Sequence, residues 1–205
     1  MSDSARQASR ATARVRGEKP AAERVFEVAA DLFYSQSIRS VGVDAIVKQA
    51  GVAKISLYRN FESKDDLIVA HLENRNAGYW RIVDRIMAAE QDNARAQLRA
   101  LVSYVASRAT TPGYRGCPFI NYAAEFPDAS HPGHQIANQN KREMRRRLFS
   151  LSKAIGAPHP AQLADALLLL IEGAYASSQT LGGRRGPAAV LPWAADALIE
   201  GHLRG

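Results

Sequence analysis

Apolar residues recur every three or four positions along most of the chain, and nowhere do they alternate strictly enough to suggest a strand. The pattern therefore predicts an all-α protein of about nine helices. The first stripe, Ala22, Val25, Phe26, Ala29, Leu32 and Phe33, opens at Pro20, whose missing N–H costs nothing in a first helical position. A second, short helix fits Val43–Ala50, with Val43, Ile46, Val47 and Ala50 inward, and stops at Gly51, which takes a left-handed backbone cheaply. The third, 54–61, has only Leu57 and Phe61 for packing, leaving Lys54, Ser56, Arg59 and Asn60 to point away. Ser63 is placed to cap a fourth helix with Asp65 and Asp66 in its first turn, and Leu72, Tyr79, Trp80, Val83, Ile86 and Met87 continue that helix. Leu98, Leu101, Val102, Val105 and Ala109 stripe a fifth. Pro and Gly interrupt the chain between Thr110 and Pro118 and over 127–133, with a short helix between them. Ala137, Met144, Leu148, Leu151 and Ile155 mark a seventh, while 162–181 and 188–203 form an eighth and a ninth, split by Gly182, Gly183, Gly186 and Pro187.

The eighth helix is apolar nearly all round, so it needs more covering than one face of a monomer provides. Paired with the ninth it makes an antiparallel hairpin that a second copy would complete as a four-helix bundle. A homodimer is expected, with Leu167, Leu170, Ile171, Ala174, Val190, Ala194 and Leu198 at its seam. Residues 1–19 carry Arg6, Arg10, Arg14, Arg16 and Lys19 among Ser, Ala and Thr without apolar periodicity. They read as a disordered basic arm, either a solvated tail or a minor-groove contact. The chain thus divides into an arm (1–19), a three-helix head (20–67) and a larger helical body (68–205).

Composition narrows the function classes. A net charge of +7 favours a polyanionic partner. The excess is uneven, however: residues 1–67 hold eleven Lys/Arg against nine Asp/Glu, and 68–205 hold sixteen against eleven. Cys117 is the sole cysteine, which excludes an intramolecular disulfide and fits a reducing cytoplasm. The longest apolar run, 167–171, ends at Glu172, far short of the ~20 residues that span a bilayer, so no membrane association is expected. No nucleophile elbow, phosphate loop or paired-cysteine motif occurs, so the chain reads as a non-enzyme with no cofactor. His131 and His134, near Asp128, have a spacing that a metal site can use, but Pro132 and Gly133 intervene and no further ligand is evident, so no metal is expected.

Two short helices joined at Gly51 have the geometry of a helix-turn-helix, whose second helix enters the major groove of DNA. The residues in it are more specific than the spacing. The stretch VDAIVKQAGVAKISLYRNFESKDDL, from Val43 to Leu67, closely resembles the DNA-binding signature of TetR/AcrR-type regulators, with Ala50-Gly51-Val52, Leu57-Tyr58, Phe61, Ser63-Lys64 and Leu67 at the family's spacings. Close resemblance runs from about Pro20 to Leu72; beyond it the likeness is in helix number, order and length. The resemblance implies base-edge contacts from Lys54, Ile55, Ser56 and Arg59, and phosphate contacts from Tyr58, Asn60 and Lys64, chemistry that suits these side chains. Tyr58 can equally be a core residue, and Lys64 a solvated charge. The chain departs from the commonest pattern at Gly42, Val47, Ala53, Ile55 and Asn60, of which Ile55 and Asn60 bear on the operator sequence.

The same resemblance implies a repressor bound to double-stranded, palindromic operator DNA and released by a small-molecule effector held in the body, the heads moving out of register with major grooves about 34 Å apart. Trp80, Tyr104, Cys117, Phe119, Tyr122, Glu125, Phe126, Glu172 and Tyr175 are the candidate effector residues, although aromatics at helical spacing also serve as plain core. Cys117 stands just ahead of a short helix, where thiol chemistry is favoured. The alternative regulator is a DNA-binding dimer switched by Cys117 oxidation or alkylation, or by a protein partner. The basic run Lys141, Arg142, Arg145, Arg146 and Arg147 reads either as an anion site or as a solvated face.

Overall fold

A computed structural model describes residues 19–204, and every regular element among them is helical. The α-helices are α1 Ala21–Gln36, α2 Val43–Ala50, α3 Lys54–Tyr58, α4 Lys64–Ala89, α5 Ala94–Ala109, α6 Pro118–Glu125, α7 Gly133–Ala154, α8 Pro160–Thr180 and α9 Leu191–Arg204, with a 3-10 turn at Pro187–Val190. The expected basic arm lies, except for Lys19, outside the described residues. No helix of the described residues is long and apolar enough to cross a membrane.

Three boundaries differ from the periodicity. Pro20 caps α1 rather than opening it. The third helix ends at Tyr58 because Asn60 N turns to the Leu57 carbonyl, three residues back, while the Asn60 side chain takes the Ser56 carbonyl that a further helical repeat would use. The last helix starts at Leu191, not 188. A helix running on from Ala188 would need an N–H at position 192 to bond the Ala188 carbonyl, and Pro192 has none, so the segment winds as a 3-10 turn first.

In the head, α1 lays Val25, Ala29, Leu32 and Phe33 against α2 and α3, whose Ile46, Val47, Ala50 and Leu57 complete a small core. Leu57 is fully buried and is the one residue of α3 that anchors it. Helix α4 starts in this core with Leu67, Ile68 and Leu72, then runs for 26 residues into the body, a rod of about 39 Å that both parts share. In the body, α8 is central, packed on α5, α7 and α9.

That packing corrects the expected dimer seam. Leu167 and Ile171 are wholly buried, and Ala174 nearly so, inside the protomer, so they offer nothing to a second copy; Leu170, Ala194 and Leu198 are half-buried, and Val190 is exposed. The open apolar face consists instead of Leu169, 73% exposed, with Gly173 and Ala176 on α8, and Trp193, also 73% exposed, with Ala197 and Gly201 on α9. A helix apolar all round has two seams, and periodicity alone does not say which one the chain's own helices cover.

Candidate functional site

The turn between α2 and α3 is made by Gly51 at φ 63°, ψ 38°, a left-handed conformation in which its N–H closes back onto the Lys48 and Val47 carbonyls. Gly42 begins α2 in extended geometry without a side-chain cap. Because Leu57 alone fastens α3, the rest of the helix faces out. Ile55 is 61% exposed and Tyr58 44%, with Lys54, Arg59 and Asn60 beside them and Ser56 half-buried. Tyr58 is thus not a core residue. Lys54 is held by Asp44 at 2.8 Å, and that partner raises its pKa. Asn60 Nδ2 donates to the Ser56 carbonyl at 2.8 Å, which fixes the amide against the helix.

Lys64 sits in the first turn of α4, which Ser63 caps by accepting from Asp66 N. Its ammonium turns inward and donates to the Ile38 carbonyl at 2.7 Å, and burial lowers its pKa. Two of its three donors thus tie α4 to the loop after α1, the second going weakly to the Arg39 carbonyl. The same loop is clamped from the body. Glu125, at the end of α6, accepts from Ser37 Oγ at 2.8 Å and from Arg39 N at 3.0 Å. Ser37 has φ 106°, a region in which a non-glycine residue is strained, and the Glu125 carboxylate holds it there.

A cavity of about 430 Å³ opens between α4, α5, α7 and α8, with the start of α6 as part of its wall. Tyr104, Cys117, Phe119, Glu172 and Tyr175 line it, as expected. Lys141 reaches in from α7, donating to Glu172 Oε1 at 2.8 Å and to Cys117 Sγ at 3.2 Å. Burial pushes the phenols of Tyr79, Tyr114 and Tyr175 well above their ordinary pKa, so all three stay neutral donors.

Four expected effector residues lie elsewhere. Trp80 lies on the far side of α4 beneath the Arg147 guanidinium, 4.4 Å from its ring centre. Glu125 is taken by the head clamp. Tyr122 is fully buried and stacked on Phe126, with its hydroxyl on His131 Nδ1, and burial pushes its pKa up to about 12. Gly133 permits this packing, since a methyl there would collide with the Tyr122 ring. His131 Nε2 lies 3.3 Å from Asp65, and His134 contacts the Phe126 carbonyl, so both are packing residues here. Of the basic run, Lys141 faces the cavity, while Arg145, Arg146 and Arg147 pair with Asp165, Glu143 and Asp84 on the surface.

Sequence reasoning passed over the cavity's cationic side. Arg75, Gly78, Ile82 and Arg85 recur at three- and four-residue steps on α4, the signal that would have placed them on one face with Tyr79.

Residues 25–70 match the model for bacterial regulatory proteins of the tetR family, and residues 94–191 that for the tetracyclin repressor-like C-terminal domain. The fold is similar to the crystal structure of a TetR-family transcriptional regulator from Streptomyces coelicolor, with 30% identity, a TM-score of 0.80, and 90% of this chain and 95% of that one covered. A TetR-type structure from Streptomyces avermitilis is also 30% identical, at a TM-score of 0.78 over 90% and 98% of the two chains. The HTH-type transcriptional regulator YjdC of Escherichia coli (strain K12) is 25% identical over 153 residues, 74% of this chain and 79% of its own length.

Proposed function

We propose, since the chain belongs to the TetR family of DNA-binding transcriptional regulators, that it is a homodimeric repressor released from a palindromic operator by a small molecule bound in the body. The observation that carries the DNA-reading part is the exposed face of α3. An isoleucine 61% exposed on a five-residue helix has no role in packing, and beside Arg59 and Ser56 it suits thymine-methyl and base-edge contact in a major groove. Tyr58, Asn60 and the third donor of Lys64 serve the phosphates on either side. The head (20–67) and body (68–205) are then the reader and the sensor, with the basic arm (1–19) ahead of them. The open face of Leu169 and Trp193 is the surface for the second copy.

Helix α6 supports the switching part. Its first residues, Pro118 and Phe119, line the cavity, and its last, Glu125, grips the strained loop of the head. A ligand that displaces the start of α6 therefore acts through one rigid helix, about 12 Å long, on the clamp. Selection of bound sequences from a random duplex pool tests the reading. Recovery of an inverted repeat is expected, and no enrichment at moderate salt would remove the operator-reading role.

Cys117 favours a second reading. Its thiol is buried and lines the cavity with the Lys141 ammonium at 3.2 Å, so an alkylating electrophile held there would form its S–C bond at that wall, losing its leaving group as the thiol gives up its proton to solvent. Release of DNA by an alkylating agent in the native chain but not in Cys117→Ala would establish it. Release by a small molecule in Cys117→Ala shows that the thiol is dispensable.

A further inference from the structure

Five cations and one carboxylate line the cavity, and the carboxylate, Glu172, is already bound to Lys141. Arg75, Arg81, Arg85 and Arg108 remain. Among the described residues none of these four lies within ion-pair distance of an acid. Arg75 and Arg108 rest instead on the ring faces of Tyr34 and Tyr114, at 5.1 Å and 5.5 Å, and Arg81 and Arg85 are open to solvent. Several other body arginines are matched: Arg95 by Glu200, Arg99 by Asp196, Arg145 by Asp165.

Behind this ring of charge the wall is apolar and aromatic, formed by Tyr104, Phe119, Met144, Ile171 and Tyr175. Tyr79 lines it as well, its buried hydroxyl directed to that of Tyr175.

We propose that the effector is an aromatic carboxylate, its ring body on the apolar wall and its anionic group taken by the mouth arginines. The proposal rests on the effector reading above and adds the ligand's chemistry. A cavity of about 430 Å³ suits a small aromatic acid. Guanidinium groups bind carboxylates through paired, charge-assisted hydrogen bonds. Capture by Arg75 also reaches the head, because that guanidinium stacks on Tyr34 of α1, and engaging an anion draws it away from that ring.

Calorimetric titration of the full chain with three probes of one shape tests this: naphthalene carboxylate, its neutral carboxamide, and naphthylmethylammonium. The carboxylate is expected to bind at least roughly tenfold more tightly than the carboxamide, the ammonium most weakly, and the carboxylate alone should lose affinity as salt rises. In the exposed pair Arg81→Gln, Arg108→Gln the carboxylate should weaken roughly tenfold while the carboxamide is unchanged. Equal or tighter binding of carboxamide or ammonium overturns the anion assignment and leaves the effector reading intact. Failure of all three to bind overturns both. A carboxylate insensitive to the double variant also overturns the assignment, since it would be bound elsewhere.

Discussion

The reading head and the body cavity both gather cations, but they differ in how many of them are tied to acids or carbonyls of their own chain. Lys54 is held by Asp44, and Lys64 by the Ile38 carbonyl. At the cavity mouth four arginines lie, among the described residues, without an acid within ion-pair distance. Lys54, Asn60 and Lys64 are therefore placed before DNA arrives, fixed by short-range bonds that cost little to exchange for phosphate. The cavity retains charge that only an incoming anion neutralises. Uncompensated charge around an apolar hollow marks a ligand site, whereas compensated charge on an exposed helix marks a surface kept in register.

The sharpest way to break this comparison is to remove the head and keep the cavity. Leu57→Ala should cost about 2–5 kcal/mol, because it opens a hole at the single anchor of α3. Duplex binding in a mobility-shift assay should vanish while calorimetric binding of naphthalene carboxylate persists. Next is pH. His71 is buried against Phe33 where head meets body, and burial, aided by Arg75, lowers its pKa to about 4. The unfolded chain binds this proton below about 6.5 and the folded chain does not, so stability is full above that pH and declines as pH falls toward 4. The loss from this group is roughly 3 kcal/mol, read as a falling urea midpoint that His71→Phe largely abolishes.

Glu125→Ala should cost up to about 3 kcal/mol by freeing the Ser37 hydroxyl and Arg39 N–H from their charged acceptor. Its signature is faster amide exchange at Arg39, with carboxylate binding unchanged and its effect on DNA weakened. Arg59→Ala should relax preference at one operator position by roughly 1–2 kcal/mol, measured by competition with singly substituted duplexes. The smallest effect is expected from Asp44→Ala, which leaves the urea midpoint in place and, by freeing Lys54, tightens duplex binding at low salt.

The head was legible in the sequence because its determinants are local: a glycine at the turn, a leucine facing in, and the residues between them facing out. The cavity was half legible. Tyr104, Cys117, Phe119, Glu172 and Tyr175 converge from three helices and the cap of α6, and their types suggested a pocket. Nothing local, however, distinguished them from Trp80 or Tyr122, whose positions depend on Arg147 and His131 contributed by other parts of the chain. The covered face of α8 was misread for a related reason. Leu167 and Leu169 are equivalent by composition, and only the placement of α5 and α7 decides that the first is covered and the second is not.

The central claim, that cavity and head are coupled, is tested most directly by measuring one affinity twice. Naphthalene carboxylate is titrated into the free protein and into the protein saturated with its selected operator duplex. The account predicts weaker binding to the DNA-bound form, by roughly five- to a hundredfold, since release of DNA by the ligand and loss of ligand affinity on DNA are one coupling free energy. Binding to both forms with the same affinity would contradict it.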